Sequence, residues 1–115
     1  MTQTARTERE PIPPGTLDML ILTTLARDGE RHGFEIAEAI QRGSGDVLRV
    51  EEGSLYPALQ RMLVKGWITG TWTRTPENRR ARYYRLTAAG RKQLEREVDS
   101  YRRVAFAISR ILQPA

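Results

Sequence analysis

The chain has 115 residues, 39% of them hydrophobic and 29% charged, with a net charge of +5, which bounds it as one small folded domain whose partner is expected to be acidic. It contains no cysteine, which excludes disulfides, thiolate zinc sites and cysteine nucleophiles. No aliphatic run exceeds Met19 to Leu22, far short of the roughly 20 residues of a membrane span, and the start lacks the order of a secretory signal, so a cytoplasmic protein without a membrane partner is expected.

Residues 1–14 read as a polar N-terminal tail, closed by Pro11, Pro13, Pro14 and Gly15. From Thr16 to Arg27, Leu17, Leu20, Ile21, Thr24 and Leu25 recur at the spacing of one helix face. Met19 and Leu22 lie off that stripe. A helix apolar on two sides is buried on two sides, here expected to be its own core and a second subunit. Asp28-Gly29-Glu30 stops the helix, with glycine suited to the C-terminal cap. A second helix is expected from Gly33 to Arg42, with Phe34, Ile36, Ala37 and Ile40 facing inward, and it ends at Gly43-Ser44-Gly45. Val47 to Val50 reads as a short strand.

The third helix is expected to begin near Ser54 as its N-cap, which puts Pro57 in the first turn, where a missing N–H costs little. Leu55, Leu59, Met62 and Leu63 face inward, and the helix ends at Lys65-Gly66. Two runs rich in Thr, Trp and Tyr follow, Trp67 to Thr75 and Ala81 to Leu86, and read as paired strands. Ile68 and Trp72 share one face of the first run; Tyr84 and Leu86 share one face of the second. Pro76 to Arg80 forms the tip. Thr87 then caps a helix running to about Leu112. In it Leu94, Val98, Tyr101, Ala105, Ile108 and Leu112 alternate steps of four and three, the spacing of a seam between helices. A domain this small cannot cover such a seam along its whole length, so the seam is expected to be a dimer interface.

These elements make a mainly α fold with a small β-hairpin: a winged helix-turn-helix over residues 15–87, and a C-terminal dimerisation helix over 88–115. The charge follows the same plan. Between Arg74 and Lys92 lie seven basic residues and one acidic residue, Glu77, so this stretch carries +6 and the rest of the chain −1. A local basic patch on a folded domain is the footprint of a nucleic-acid binder.

Four segments carry a family resemblance: Leu17-Asp18-Met19-Leu20-Ile21-Leu22, His32-Gly33-Phe34-Glu35-Ile36, Gly53-Ser54-Leu55-Tyr56-Pro57-Ala58-Leu59 and Tyr83-Tyr84-Arg85-Leu86-Thr87-Ala88-Ala89-Gly90. Their order and separation, from about Gly15 to Leu112, resemble the PadR family of bacterial regulators in its smaller branch. The resemblance implies a dimeric winged helix-turn-helix repressor of transcription, with the C-terminal helix joining the subunits and a small aromatic effector in some members. Phe34 and Glu51 stand where the family more often has Tyr and Ser.

In this setting the third helix is expected to enter the major groove of double-stranded DNA. Gln60 and Arg61 have the donors and acceptors that read adenine and guanine edges, while Ser54, Tyr56 and Lys65 suit phosphates. Arg79, Arg80 and Arg82, at or beside the wing tip, are expected on phosphates or a neighbouring minor groove. Trp67 and Trp72 are expected to be core, with an aromatic ligand pocket between subunits as the alternative. His32 is the only histidine, and without cysteines or clustered carboxylates it makes no metal or acid–base site. No phosphate-binding glycine loop or Ser-His-Asp set occurs, so neither an enzyme nor a cofactor is expected. The competing reading is a winged-helix module whose apolar C-terminal stripe binds another protein.

Overall fold

Four helices and two small sheets build the chain, whose structure, a computed structural model, describes residues 9–114. The first helix, α1 (Leu17–Asp28), lies at the centre and touches the three other helices and the wing sheet. Its apolar residues point in more than one direction, and the structure shows why. Ile21, Leu22 and Leu25 enter the core, while Met19 is also buried. The last helix of the same chain also packs against α1. Thr24, also buried, donates its hydroxyl hydrogen to the Leu20 carbonyl at 2.9 Å, so no polar group is stranded.

Residues 9–14, read from sequence as part of a polar tail, are docked. Strand β1 (Glu10–Pro11) pairs in parallel with β3 (Leu48–Arg49), and Arg9 holds Asp46 at 3.0 Å. Ile12 packs on the core. The remainder of that tail, residues 1–8, lies outside the described residues.

A two-residue strand, β2 (Arg31–His32), runs straight into α2 (Gly33–Gly43). His32 is the N-cap. Its Nδ1 accepts from the Glu35 N–H at 3.4 Å, and the Glu35 carboxylate accepts from the His32 N–H at 3.1 Å, a reciprocal capping box. The one histidine therefore caps the start of α2. Phe34, expected inward, is 63% exposed, because the second residue of the helix projects beyond the core that Ile36 and Ile40 reach.

The next helix, α3 (Glu52–Val64), begins three residues earlier than the sequence suggests, with Glu51 rather than Ser54 as N-cap. Pro57 therefore lies inside the helix rather than in its first turn. The lost bond to the Gly53 carbonyl falls on an exposed stretch, where the carbonyl is open to solvent. Leu55, Ala58, Leu59 and Met62 form the buried side.

The wing is an antiparallel pair, β4 (Ile68–Arg74) and β5 (Arg80–Leu86), with register Ile68 opposite Leu86 and Arg74 opposite Arg80. Strand β2 extends the sheet on its β5 side, opposite Tyr83 and Tyr84 only. Asn78 takes the left-handed conformation the tip requires, at φ 66°.

The last helix, α4 (Ala88–Leu112), is fixed at its start by a compact joint. The Thr87 hydroxyl accepts from the Gly90 N–H at 3.0 Å and donates to the Gly66 carbonyl at 2.7 Å. The Thr87 N–H donates to the Trp67 carbonyl at 3.0 Å. A Cβ on Gly90 would overlap that same carbonyl and lie 2.8 Å from Leu86 Cδ1. Backbone cannot move aside as a flexible side chain can, so Gly90→Ala is expected to lower stability by about 1–3 kcal/mol, and Thr87→Ala by about 1 kcal/mol. Urea melts read both, and an unchanged midpoint for Gly90→Ala would show that the joint is not tight. A hydrogen bond from Arg9, with one from Gln41, holds the Asp46 carboxyl below its usual value. Its share of stability is present above the ordinary carboxylate pKa and is lost as pH falls through the lowered one. Arg9→Ala should raise the Asp46 titration in NMR; an unmoved titration would mean that Arg9 does not hold the carboxylate in solution.

Candidate nucleic-acid interface

One face of the wing sheet changes its task along its length. Ile68, Gly70 and Trp72 of β4 lie on the same face as Leu86, Tyr84 and Arg82 of β5. Near the root this face is core, and Ile68 and Tyr84 are buried. Four residues further along β4, the domain beneath has ended. Trp72, expected to be core by alternation with Ile68, is 54% exposed. The Arg80 and Arg82 guanidinium carbons lie 4.7 and 5.9 Å from its ring centre, within cation–π range. Trp67 differs: it packs against the core, with Lys65 over its ring at 5.2 Å. The two tryptophans are thus separated, and only Trp72 borders the main groove.

That groove, of about 800 Å³, runs between the start of α2, the outer face of α3 and the wing. Phe34, Tyr56, Trp72 and Tyr84 give it ring faces, and Arg79, Arg80 and Arg82 make one wall basic. Glu35 and Glu38 lie on the α2 side and Glu77 at the tip. Two glycines give this groove its shape. A Cβ on Gly33 would fall 2.7 Å from the Tyr56 hydroxyl oxygen, and one on Gly70 would fall 2.6 Å from Arg82 Nε. Arg82 Nε is buried and has no hydrogen-bond partner among the described residues, a state that costs about 1–3 kcal/mol. Burial pushes the Tyr84 phenol up from its usual value, with Arg82 opposing and Tyr56 adding to the shift, so Tyr84 is a neutral donor at ordinary pH.

Ser54, Tyr56 and Gln60 of α3, and Lys65 at its C-cap, are exposed. Tyr56 and Gln60 face the groove. Arg61 is placed differently: its guanidinium pairs with Asp18 of α1, so it braces the helix against the helix behind it. Arg74, part of the basic stretch but not among the DNA contacts expected from the sequence, donates to the Asn78 carbonyl at 3.0 Å and ties down the wing turn. The contributions of Phe34, Gly33 and Gly70 to the groove were also missed. Glycines at these positions signal close approach only once the strand register is known. Among the described residues no group of three or more His, Asp and Glu side chains could hold a metal ion, and no helix is long and apolar enough to cross a membrane.

A groove bounded by an exposed helix and an arginine-bearing hairpin is the shape of a winged helix-turn-helix, and comparison with known proteins decides the family. Residues 21–96 match the transcriptional regulator PadR-like family. The chain belongs to that family. A transcriptional regulator from Clostridium thermocellum superposes with a TM-score of 0.78 at 25% identity, over 86% of this chain and 95% of that one. A PadR-like transcriptional regulator from Bacillus cereus gives 0.72 at 30% identity, over 88% and 95%. A 37.1 kDa protein in a transposon of Streptomyces fradiae is 42% identical over 87 residues, or 76% of this chain, which spans 23% of that protein's length. This PadR-like chain is therefore a transcriptional regulator with a winged-helix fold.

The separation of the tryptophans can be measured in solution. With Trp67→Phe, the remaining Trp72 should emit at long wavelength and be quenched strongly by iodide, an anion drawn to Arg80 and Arg82. With Trp72→Phe, Trp67 should be quenched less. Equal quenching would contradict the two environments.

Proposed function

We propose that this PadR-like regulator binds an inverted-repeat DNA site as a homodimer and represses transcription, with α3 in the major groove and the wing on the adjoining backbone. The observation that carries this reading is the groove itself, in which the exposed side of α3 and three wing arginines flank one channel. Gln60 is the base-reading residue, since its amide can pair with an adenine edge. Ser54, Tyr56 and Lys65 hold phosphates. Arg61 contributes chiefly through Asp18, which sets the angle of α3.

The dimer reading is supported by the far end of α4. Leu94 packs on the core of its own chain, but Tyr101, Val104, Ile108, Ile111 and Leu112 are exposed along the helix. With Val98 and Ala105, which are half-buried, Tyr101, Ile108 and Leu112 continue a seam of heptad spacing, which Val104 and Ile111 widen. A contiguous apolar surface of this kind is seldom left in water. The regulatory part of the proposal is a small aromatic effector, supported by the open ring faces of Phe34 and Trp72. A second reading rests on the same exposed stripe, which a foreign helix could occupy, making the chain a protein-interaction module. Light scattering at micromolar concentration separates the two, because a monomer would favour the module.

The test of the main reading is selection from a random duplex library at moderate salt. An inverted repeat with half-sites about one helical turn apart is expected. Gln60→Ala should relax base preference in each half-site by about 1–3 kcal/mol. Arg79→Ala with Arg80→Ala should instead weaken binding to all sequences and flatten its salt dependence. No enrichment of any sequence would remove sequence-specific recognition from the account.

A further inference from the structure

We infer that Glu38 is a specificity-determining residue: its carboxylate, on the α2 wall of the groove, accepts a hydrogen bond from the exocyclic amino group of a cytosine next to the base read by Gln60. The inference rests on the DNA-binding reading and adds to it a base contact from α2.

The groove has walls of opposite sign. Arg79, Arg80 and Arg82 stand on the wing side, while Glu35 and Glu38 stand on the α2 side. Of these two carboxylates, Glu35 has a task within the fold, since it accepts from the His32 N–H at 3.1 Å and closes the capping box. Glu38, in the next turn, is exposed and enters no ion pair among the described residues. It lies in the middle of α2, so capping does not account for it either. Phe34, one turn earlier, falls on the same side of the helix and is 63% exposed. This edge of α2 therefore offers the groove a ring and a carboxylate, and neither donates to a phosphate.

A carboxylate can meet few groups of a duplex favourably. When ionised it only accepts hydrogen bonds. Phosphate oxygens are also acceptors and carry the same charge. In the major groove the donors are the amino groups of cytosine and adenine. Adenine sets the acceptor N7 beside its amino group, which suits an amide such as Gln60 and repels a carboxylate. Cytosine presents its N4 amino group without that neighbour. A carboxylate closed in against DNA without a donor loses its hydration for nothing, so Glu38 favours sites with cytosine and penalises the rest. The wing wall draws the backbone and the α2 wall turns it away, which leaves base edges in front of α2.

The test repeats the duplex selection with Glu38→Ala and Glu38→Gln. Wild type should prefer cytosine by about tenfold at one position in each half-site, beside the adenine assigned to Gln60. Glu38→Ala should lose that preference, keep the others, and bind an arbitrary duplex about threefold more tightly, because a like charge has gone. Glu38→Gln supplies an amide with both donor and acceptor, and should change the preferred base from cytosine to adenine. A residue that merely supported the fold would not exchange one base for another. Glu95→Gln makes the same change of charge on the exposed side of α4 and should leave preference and affinity as they were. Thermal melting should find all three variants as stable as wild type, since the positions are exposed.

An unchanged preference profile in Glu38→Ala overturns the inference, whether or not affinity rises. A rise alone would mean that the carboxylate only repels the backbone. A Glu38→Gln profile that selects cytosine as strongly as wild type overturns it too. If wild type itself enriches no sequence, the DNA-binding reading fails first and this inference falls with it; enrichment by wild type with an unaltered Glu38→Ala profile removes Glu38 alone.

Discussion

The structure depends on the joint at which α4 leaves the wing. Gly90 lies against the Trp67 carbonyl with no room for a side chain, and the Thr87 hydroxyl ties the start of α4 to the end of α3 through Gly66. Gly66 itself adopts φ 77°, a conformation that L side chains resist. The contact therefore fixes three directions together: where α3 stops, where β4 starts and where α4 points. If α4 carries the dimer seam, the distance between two recognition helices is decided here, by a few backbone atoms far from any base.

Helix α1 transmits that decision. It touches α2, α3, α4 and the sheet, and its buried side chains face more than one of them. A close-packed helix cannot absorb displacement on one flank without passing it to the other. The Arg61–Asp18 pair adds a polar tie between α1 and α3. As a half-exposed ion pair it contributes modestly to stability; its value lies in limiting the rotation of α3 about its own axis.

Much of this was legible in the sequence, because the informative residues act locally. The spacing of Leu17, Ile21 and Leu25, the glycines at helix ends, Thr87 as a cap and the Thr-rich strands each carry their meaning within a few neighbours. The misses come from facts that no short window contains. Alternation put Trp72 with Ile68, correctly as to face, but could not show that the core runs out between them. Ser54 looked like an N-cap because serine favours that place, whereas the helix begins earlier at a weakly capping Glu51. The partner of Arg61 is 43 residues away, and that of Arg9 is 37 residues away. The strand made by Glu10 and Pro11 needs Leu48 and Arg49 to exist at all. The groove is the extreme case: Gly33 and Gly70 acquire meaning only when Tyr56 and Arg82 lie on top of them.

The wing also has a mechanical character that follows from its uneven sheet. Strand β2 supports β5 only at Tyr83 and Tyr84, and the buried Ile68 clamps the root of β4. Beyond that level, residues 72–82 form a two-stranded ribbon with no third strand among the described residues. Such a ribbon is a cantilever, stiff where it is held and compliant at its end, since two strands alone twist and bend more readily than three. Load applied at the tip bends the ribbon without levering on α3. In the proposed complex, the arginines at its end would follow a duplex whose groove width varies along its length, while α3 would keep its place.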